Sequence, residues 1–217
     1  MDAAFWLTKW QRNEIGFHGA EVSPYLARNW PSLGFASGSR VLVPLCGKTL
    51  DMVWLADQGV QVLGIELSQV AVESFFAEQG LSPVQEKQDE LVLYKAGPYE
   101  ILQGDFFDVS VTHVGKCDGF YDRAALIALP ECMRASYAEQ MGRLMPKESQ
   151  GLLVTLEYEQ HKRSGPPFSV SKQEVQTLYG SAWRLECLER NDVLAENAKF
   201  ASQGVTWLDE VVYRIGR

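Results

Sequence analysis

The residues best suited to chemistry start where an apolar run ends. Val41-Leu42-Val43-Pro44-Leu45-Cys46 runs into Gly47-Lys48-Thr49, and Glu66 follows Gly47 by nineteen positions. A strand, a tight turn, a helix and a second strand tipped by a carboxylate form a grip for a ribose. The acid accepts hydrogen bonds from both hydroxyls while the turn passes its backbone beneath the rest of the nucleoside. Gly47-Lys48-Thr49 resembles the end of a phosphate loop, GxxxxGK[ST], but Leu42 stands where its first glycine must be. The dinucleotide pattern GxGxxG fails too, because Gly47 is alone in its turn. The ligand that remains is a nucleoside without a pyrophosphate, and S-adenosylmethionine is the common one. The competing reading makes Glu66 only an acid favoured by the dipole of the next helix.

Two further strand ends carry reactive side chains. In Gly104-Asp105-Phe106-Phe107, Asp105 is placed to reach an adenine amino group and Phe106 to pack on the ring. In Tyr121-Asp122-Arg123-Ala124-Ala125-Leu126, Arg123 is a permanent cation able to orient an anionic acceptor. The plainer account pairs Asp122 with Arg123 as an ion pair that caps the following helix. His18 is the one titratable imidazole near these groups. With His113 and His161 as the other histidines, and no CxxC among Cys46, Cys117, Cys132 and Cys187, no metal site is expected.

The elements that must position these residues alternate along the chain. Strands are expected at Arg40–Leu45, Gln61–Glu66, Tyr99–Gln103, Cys117–Tyr121 and Gly151–Glu157, and helices at Lys48–Gln58, at Ser68–Gln79 and from Pro130 as a first helical residue. Leu91–Lys95 forms a hairpin with Tyr99–Gln103. Trp183–Arg190 and Thr206–Ile215 read as a terminal antiparallel pair with no crossover helix between them. The order β-α-β-α-β implies a doubly wound α/β domain with a parallel sheet. Residues 39–217 form this core. Residues 1–38, with Trp6, Trp10, Phe17, Tyr25 and Trp30, form an N-terminal helical lid over the strand ends, although Trp30 is also suited to sealing the sheet.

At 217 residues and 46% hydrophobic, the chain fits one domain. A net charge of −8 argues against nucleic acid as a partner, because tracking phosphates needs the opposite sign. The start, Met1-Asp2-Ala3-Ala4-Phe5, is acidic and lacks the apolar stretch of a leader, and no later run is long enough to span a membrane. A cytoplasmic monomer with reduced thiols acting on small molecules is expected.

Pro44-Leu45-Cys46-Gly47-Lys48, Gly64-Ile65-Glu66-Leu67-Ser68 and Tyr121-Asp122-Arg123-Ala124-Ala125-Leu126, in that order, resemble the thiopurine S-methyltransferase family in its bacterial form. Trp6, Trp10, Phe17-His18 and the long final strand extend the resemblance over the chain. It implies a seven-stranded S-adenosylmethionine-dependent methyltransferase fold whose last strand is antiparallel. It also implies methyl transfer from S-adenosylmethionine to the sulfur of aromatic and heterocyclic thiols, with selenium and tellurium compounds as further acceptors. Carried over by position, Trp10, Leu45, Gly47, Glu66, Asp105, Phe106 and Arg123 meet the donor, and Phe17, Arg123 and Lys199 face the acceptor. Lys199 stands where some relatives have arginine. The competing readings are an oxygen- or nitrogen-directed methyltransferase, a binder without activity, and a nucleotide-dependent oxidoreductase, the last weakened by the missing GxGxxG.

Overall fold

The computed structural model describes residues 3–217. Two helices lead the chain, α1 at Ala3–Gln11 and α2 at Pro24–Asn29. β1 (Arg40–Pro44) and β2 (Gln61–Glu66) follow, each buried at every residue after the first, as parallel strands covered on both faces must be. Between and after them lie α3 (Asp51–Asp57) and α4 (Gln69–Glu78), whose N-terminus is capped by Ser68 accepting from the Ala71 amide. An antiparallel arm comes next, formed by β3 (Val84–Gln88), β4 (Leu91–Ala96) and β5 (Tyr99–Gln103). The chain continues through α5 (Val111–Val114), β6 (Gly119–Arg123), α6 (Glu131–Leu144), β7 (Gln150–Tyr158), α7 (Lys172–Tyr179), β8 (Arg184–Asp192), α8 (Ala198–Ala201) and β9 (Leu208–Gly216).

Among the described residues one sheet of nine strands runs in the order β3-β4-β5-β2-β1-β6-β7-β9-β8. The seven strands from β5 to β8 are those the sequence called for. β9 is antiparallel to both of its neighbours, β4 is the expected hairpin partner of β5, and β3 extends that edge by one further strand. β3 escaped notice because Val84-Gln85-Glu86-Lys87-Gln88 is a polar, exposed edge with no apolar alternation. α7 escaped as well, although Ser171 caps it by accepting from the Glu174 amide and Val175 and Tyr179 bury its inner side. One apolar core joins α6 and α7 to one face of the sheet. The other gathers Leu26, Trp30 and Leu33 with Val41, Val43, Met52 and Phe75 on the opposite face.

This second core divides the N-terminal segment. α2 and the turn Trp30–Leu33 pack on the sheet face, where Trp30 stacks on Phe35 at 4.8 Å, so Tyr25 and Trp30 are sealing residues. The layer across the strand ends comes from α1 and the loop to Gly19. Smaller shifts affect other boundaries. α3 starts at Asp51, leaving Lys48–Leu50 in the turn, and Pro130 sits just before α6 as its cap residue.

β6 lies two residues later than the sequence suggested, so Asp122 and Arg123 are inside the strand, and neighbours in a strand point to opposite faces. The expected Asp122–Arg123 ion pair therefore does not form. Asp122 is buried against α6, where its carboxylate accepts from Tyr137 Oη at 2.8 Å and from the Leu126 amide at 3.2 Å. Burial raises its pKa to about 6, against the lowering effect of those hydrogen bonds. Between roughly pH 4, the free aspartate value, and pH 6 the native state holds a proton that the unfolded chain has lost. This group's contribution to stability is full below that window, declines as pH rises through it and is level above. The loss is on the order of 3 kcal/mol. Asp122→Asn removes the titration and keeps a carbonyl for the Leu126 amide. Urea unfolding at pH 4 and pH 7 should show a smaller loss on raising the pH in the variant, and parallel profiles would contradict the assignment.

Candidate functional site

β1, β2, β5 and β6 run parallel and deliver Leu45, Glu66, Gly104 and Arg123 to one edge of the sheet, on either side of the point where the strand order reverses. Above this edge lies a cavity of about 880 Å³. Trp10, Phe17, Leu45, Gly47, Glu66, Asp105, Phe106, Arg123 and Lys199, picked out in the sequence, all line it.

The first turn and the second strand are joined directly. Glu66 Oε2 accepts from the Gly47 amide and Oε1 from the Ser68 amide, both at 2.8 Å. Glu66 thus also serves the start of α4, as the plainer reading held, and it lines the cavity as well, with acceptor capacity beyond those two bonds. Burial raises the Glu66 pKa while the backbone hydrogen bonds oppose the rise. Leu45 sits at φ 48°, a left-handed conformation unfavourable for a branched side chain, and Gly47 follows at φ 53°. A Cβ on Gly47 would stand 3.0 Å from Trp10 Cζ2, so the bare turn is what lets the indole lie against it. Trp10 meets Phe17 edge to face at 5.7 Å, and Phe17 meets Trp6 at 5.4 Å, giving the cavity an aromatic roof. Cys46 is buried beneath the turn, and burial together with the Glu66 charge pushes its thiol far above the usual range, so it is no nucleophile.

On the adjoining wall, the Gly104 amide donates to Glu66 O at 2.9 Å, fixing the tips of β2 and β5 together. Gly104 has φ 151°, and a Cβ there would overlap Leu91 at 2.3 Å. Asp105 Oδ1 accepts from the Phe107 amide at 2.9 Å, so one carboxylate oxygen caps the turn that follows. The Phe106 ring packs on Tyr137 at 4.9 Å and belongs to the core. Its role at the cavity is narrower than the stacking platform the sequence suggested.

Comparison with known proteins places this arrangement. The family model described as thiopurine S-methyltransferase matches residues 1–217. A curated thiopurine S-methyltransferase of Azotobacter vinelandii is 52% identical over 217 residues, all of both chains. One from Pseudomonas fluorescens is 53% identical over 215 residues, 99% of each chain. The chain belongs to the thiopurine S-methyltransferase family. Among solved structures, a Burkholderia thailandensis 1,6-didemethyltoxoflavin-N1-methyltransferase, with its namesake ligand and S-adenosylhomocysteine bound, aligns at TM-score 0.68 and 14% identity. The alignment covers 99% of this chain and 86% of that one. An S-adenosylmethionine-dependent methyltransferase from Anabaena variabilis aligns at TM-score 0.66 and 12% identity, over 99% and 94%. At these identities the likeness is one of fold, and it confirms the α/β methyltransferase architecture of this family member.

The family motifs do not reveal what surrounds Arg123. Its Nη1 lies 3.4 Å from Oδ2 of Asp51, which is 1% exposed. Asp51 also accepts from the Ser23 amide at 2.7 Å and from Tyr121 Oη at 2.9 Å. Glu210, on β9, lines the same cavity and interacts electrostatically with Arg123. In sequence Asp51 resembles any first-turn acid of a helix and Glu210 any strand acid, so neither gives a local signal. On the far wall Lys199 is joined by Arg163, whose guanidinium lies 4.5 Å from the Phe200 ring centre. His18 lies toward Lys48 and Glu78, with its pKa lowered by burial first and by the Lys48 charge second. Among the described residues no helix is long and apolar enough to cross a membrane.

Proposed function

We propose that this chain transfers a methyl group from S-adenosylmethionine to the sulfur of aromatic and heterocyclic thiols, thiopurines among them, and to selenium or tellurium compounds that present a similar soft nucleophile. The observation that carries the reading is a ribose-type grip, Glu66 with Gly47, opening on the same cavity as Arg123 in a chain about half identical, end to end, to thiopurine S-methyltransferases. The residues present suit the donor. Its ribose would be held by the remaining acceptor capacity of Glu66, its adenine by the turn at Gly104–Phe106, and its amino-acid end by the Leu45–Gly47 turn under Trp10. A cavity of about 880 Å³ is near the upper end of the roughly 300–1,000 Å³ of small-molecule sites, enough for donor and acceptor together. When bound, S-adenosylmethionine supplies a methyl group already activated on a sulfonium.

The chain's own residues then have three tasks. The Glu66–Gly47 bond fixes one reactant and Arg123 orients the other, which replaces an encounter in solution by a set geometry. Trp6, Trp10 and Phe17 roof the cavity and exclude water. Arg123 stabilises negative charge on the acceptor sulfur, and its own charge persists at any working pH. A small-molecule enzyme of the cytoplasm, acting as a monomer, completes the proposal. The test is transfer of labelled methyl from S-adenosylmethionine across a panel of aromatic thiols, thiopurines, selenite, tellurite, phenols and amines. Product is expected with the thiols first. Product confined to phenols or amines, or absent throughout, would overturn the assignment.

A further inference from the structure

Methylation of a thiol or thione at neutral pH needs somewhere for the acceptor's proton to go; the sequence shows no compelling base for a thiol, and His18 is its one nearby candidate for an oxygen or nitrogen acceptor. The structure sets His18 at the lid, toward Lys48 and Glu78. At Arg123 it offers two carboxylates of different character. Asp51 is fully engaged, with Oδ1 on the Ser23 amide and Oδ2 shared by Tyr121 Oη and Arg123. Glu210 is partly exposed and lines the cavity, with the Tyr25 hydroxyl and the Arg123 guanidinium as the groups that favour its charged form. That leaves acceptor capacity on its carboxylate.

We propose that Glu210 is the catalytic base that takes the acceptor's proton, while Arg123, held by Asp51, receives the sulfur. This rests on the reading that a thiol acceptor binds at Arg123. The S–H bond, or N–H bond of the thione tautomer, breaks and its electron pair stays on the acceptor. The proton joins a Glu210 carboxylate oxygen, and the sulfur pair forms the new S–CH₃ bond as the sulfonium–methyl bond breaks. Glu210 later returns the proton to water through the cavity mouth. The negative charge thus moves from Glu210 to sulfur beside one guanidinium, so the total charge of the buried group is constant during proton transfer, as a low-dielectric site favours. The charged and titratable groups facing Glu210 are Tyr25 on α2, Arg123 on β6 and Glu196 in the turn after β8, with Asp51 and Tyr121 behind Arg123. Burial is the largest influence and raises the Glu210 pKa, Tyr25 and Arg123 lower it, and Glu196 raises it again. The balance brings the carboxyl toward the range useful to a base.

The test compares an acceptor still protonated at pH 7, 6-mercaptopurine, with one already ionised, 5-thio-2-nitrobenzoate. Glu210→Gln should lower kcat for mercaptopurine about 100-fold, at the low end of acid–base contributions, and at least tenfold less for the ionised thiol. Equal losses for both acceptors, which a role in merely holding Arg123 would produce, overturn the proposal, as does no loss. Tyr25→Phe provides a second arm should the first variant unfold. Removing the tyrosine hydroxyl, which lowers the Glu210 pKa, should move the acidic limb of log kcat against pH upward for mercaptopurine, and an unmoved limb counts against Glu210. If the native protein methylates neither thiol, the thiol-acceptor reading itself fails.

Discussion

Exchanging Glu66 for Gln should weaken donor binding by roughly 100-fold while the chain still folds. An ionised carboxylate accepts from both ribose hydroxyls, and hydrogen bonds to a charged group are worth about 1.5–3 kcal/mol each, so losing one and weakening the other costs about two powers of ten. The amide makes matters worse at the turn. Glu66 now accepts from two backbone amides, Gly47 and Ser68. A glutamine presents one oxygen and one NH₂, so one of those amides faces another donor. The Leu45–Gly47 turn is already in left-handed backbone and depends on that anchor. Stability should change little, because the variant also removes a buried carboxylate whose pKa burial has raised. The same shift gives a pH test. Protonating Glu66 turns one oxygen from acceptor to donor, so donor affinity should fall with falling pH from a midpoint above the ordinary glutamate range. Calorimetric titration with S-adenosylhomocysteine measures both effects. Affinity within threefold of the native protein, or a midpoint at the ordinary glutamate value, would remove Glu66 from the donor site.

Glu66 was legible in the sequence because its neighbours are constrained locally. A parallel strand covered on both faces must be apolar throughout, so Val41–Val43 and Val62–Ile65 declare themselves, and the residue ending each run is placed at the sheet edge. The same logic found β5 with Asp105 after it. It erred where the chain's signal is not apolar. Cys117-Asp118 reads as the start of β6, yet Asp118 turns back to accept from the Arg40 amide at 2.9 Å, and the strand begins two residues on. That slip placed Asp122 beside Arg123 in one polar cluster, whereas the pleat sends one to Tyr137 and the other to Asp51. Asp51, Tyr121 and Glu210 come from α3, β6 and β9, and only the closed sheet brings them together. Their types are ordinary for their elements, so their meeting around Arg123 resides in tertiary placement, which periodicity does not encode.

Arg123→Met should therefore separate the two halves of the site. Methionine approximates the stem of arginine but carries no charge, so the acceptor sulfur loses its partner while the Glu66–Gly47 grip, on the other strand tips, is untouched. Acceptor turnover should fall by about 100-fold or more, the scale seen when one charge-stabilising group is removed from a site that excludes water, with donor affinity kept within about threefold. Stability should drop by a few kcal/mol. Asp51 keeps the Ser23 amide and Tyr121 but loses its counter-ion, and Glu210 loses the positive charge beside it. At 3.4 Å the Asp51 contact is long for a hydrogen bond, which places the loss at the lower end for a broken buried pair. Arg123→Lys, whose ammonium lacks the planar fork, should recover part of the stability and little of the turnover, because charge alone cannot hold Asp51 and the sulfur in one plane. Steady-state kinetics with a thiopurine, paired with donor calorimetry, reads the split. Donor affinity falling in step with turnover would make Arg123 a support of the donor grip, and full activity in the methionine variant would leave the acceptor sulfur without the guanidinium assigned to it here.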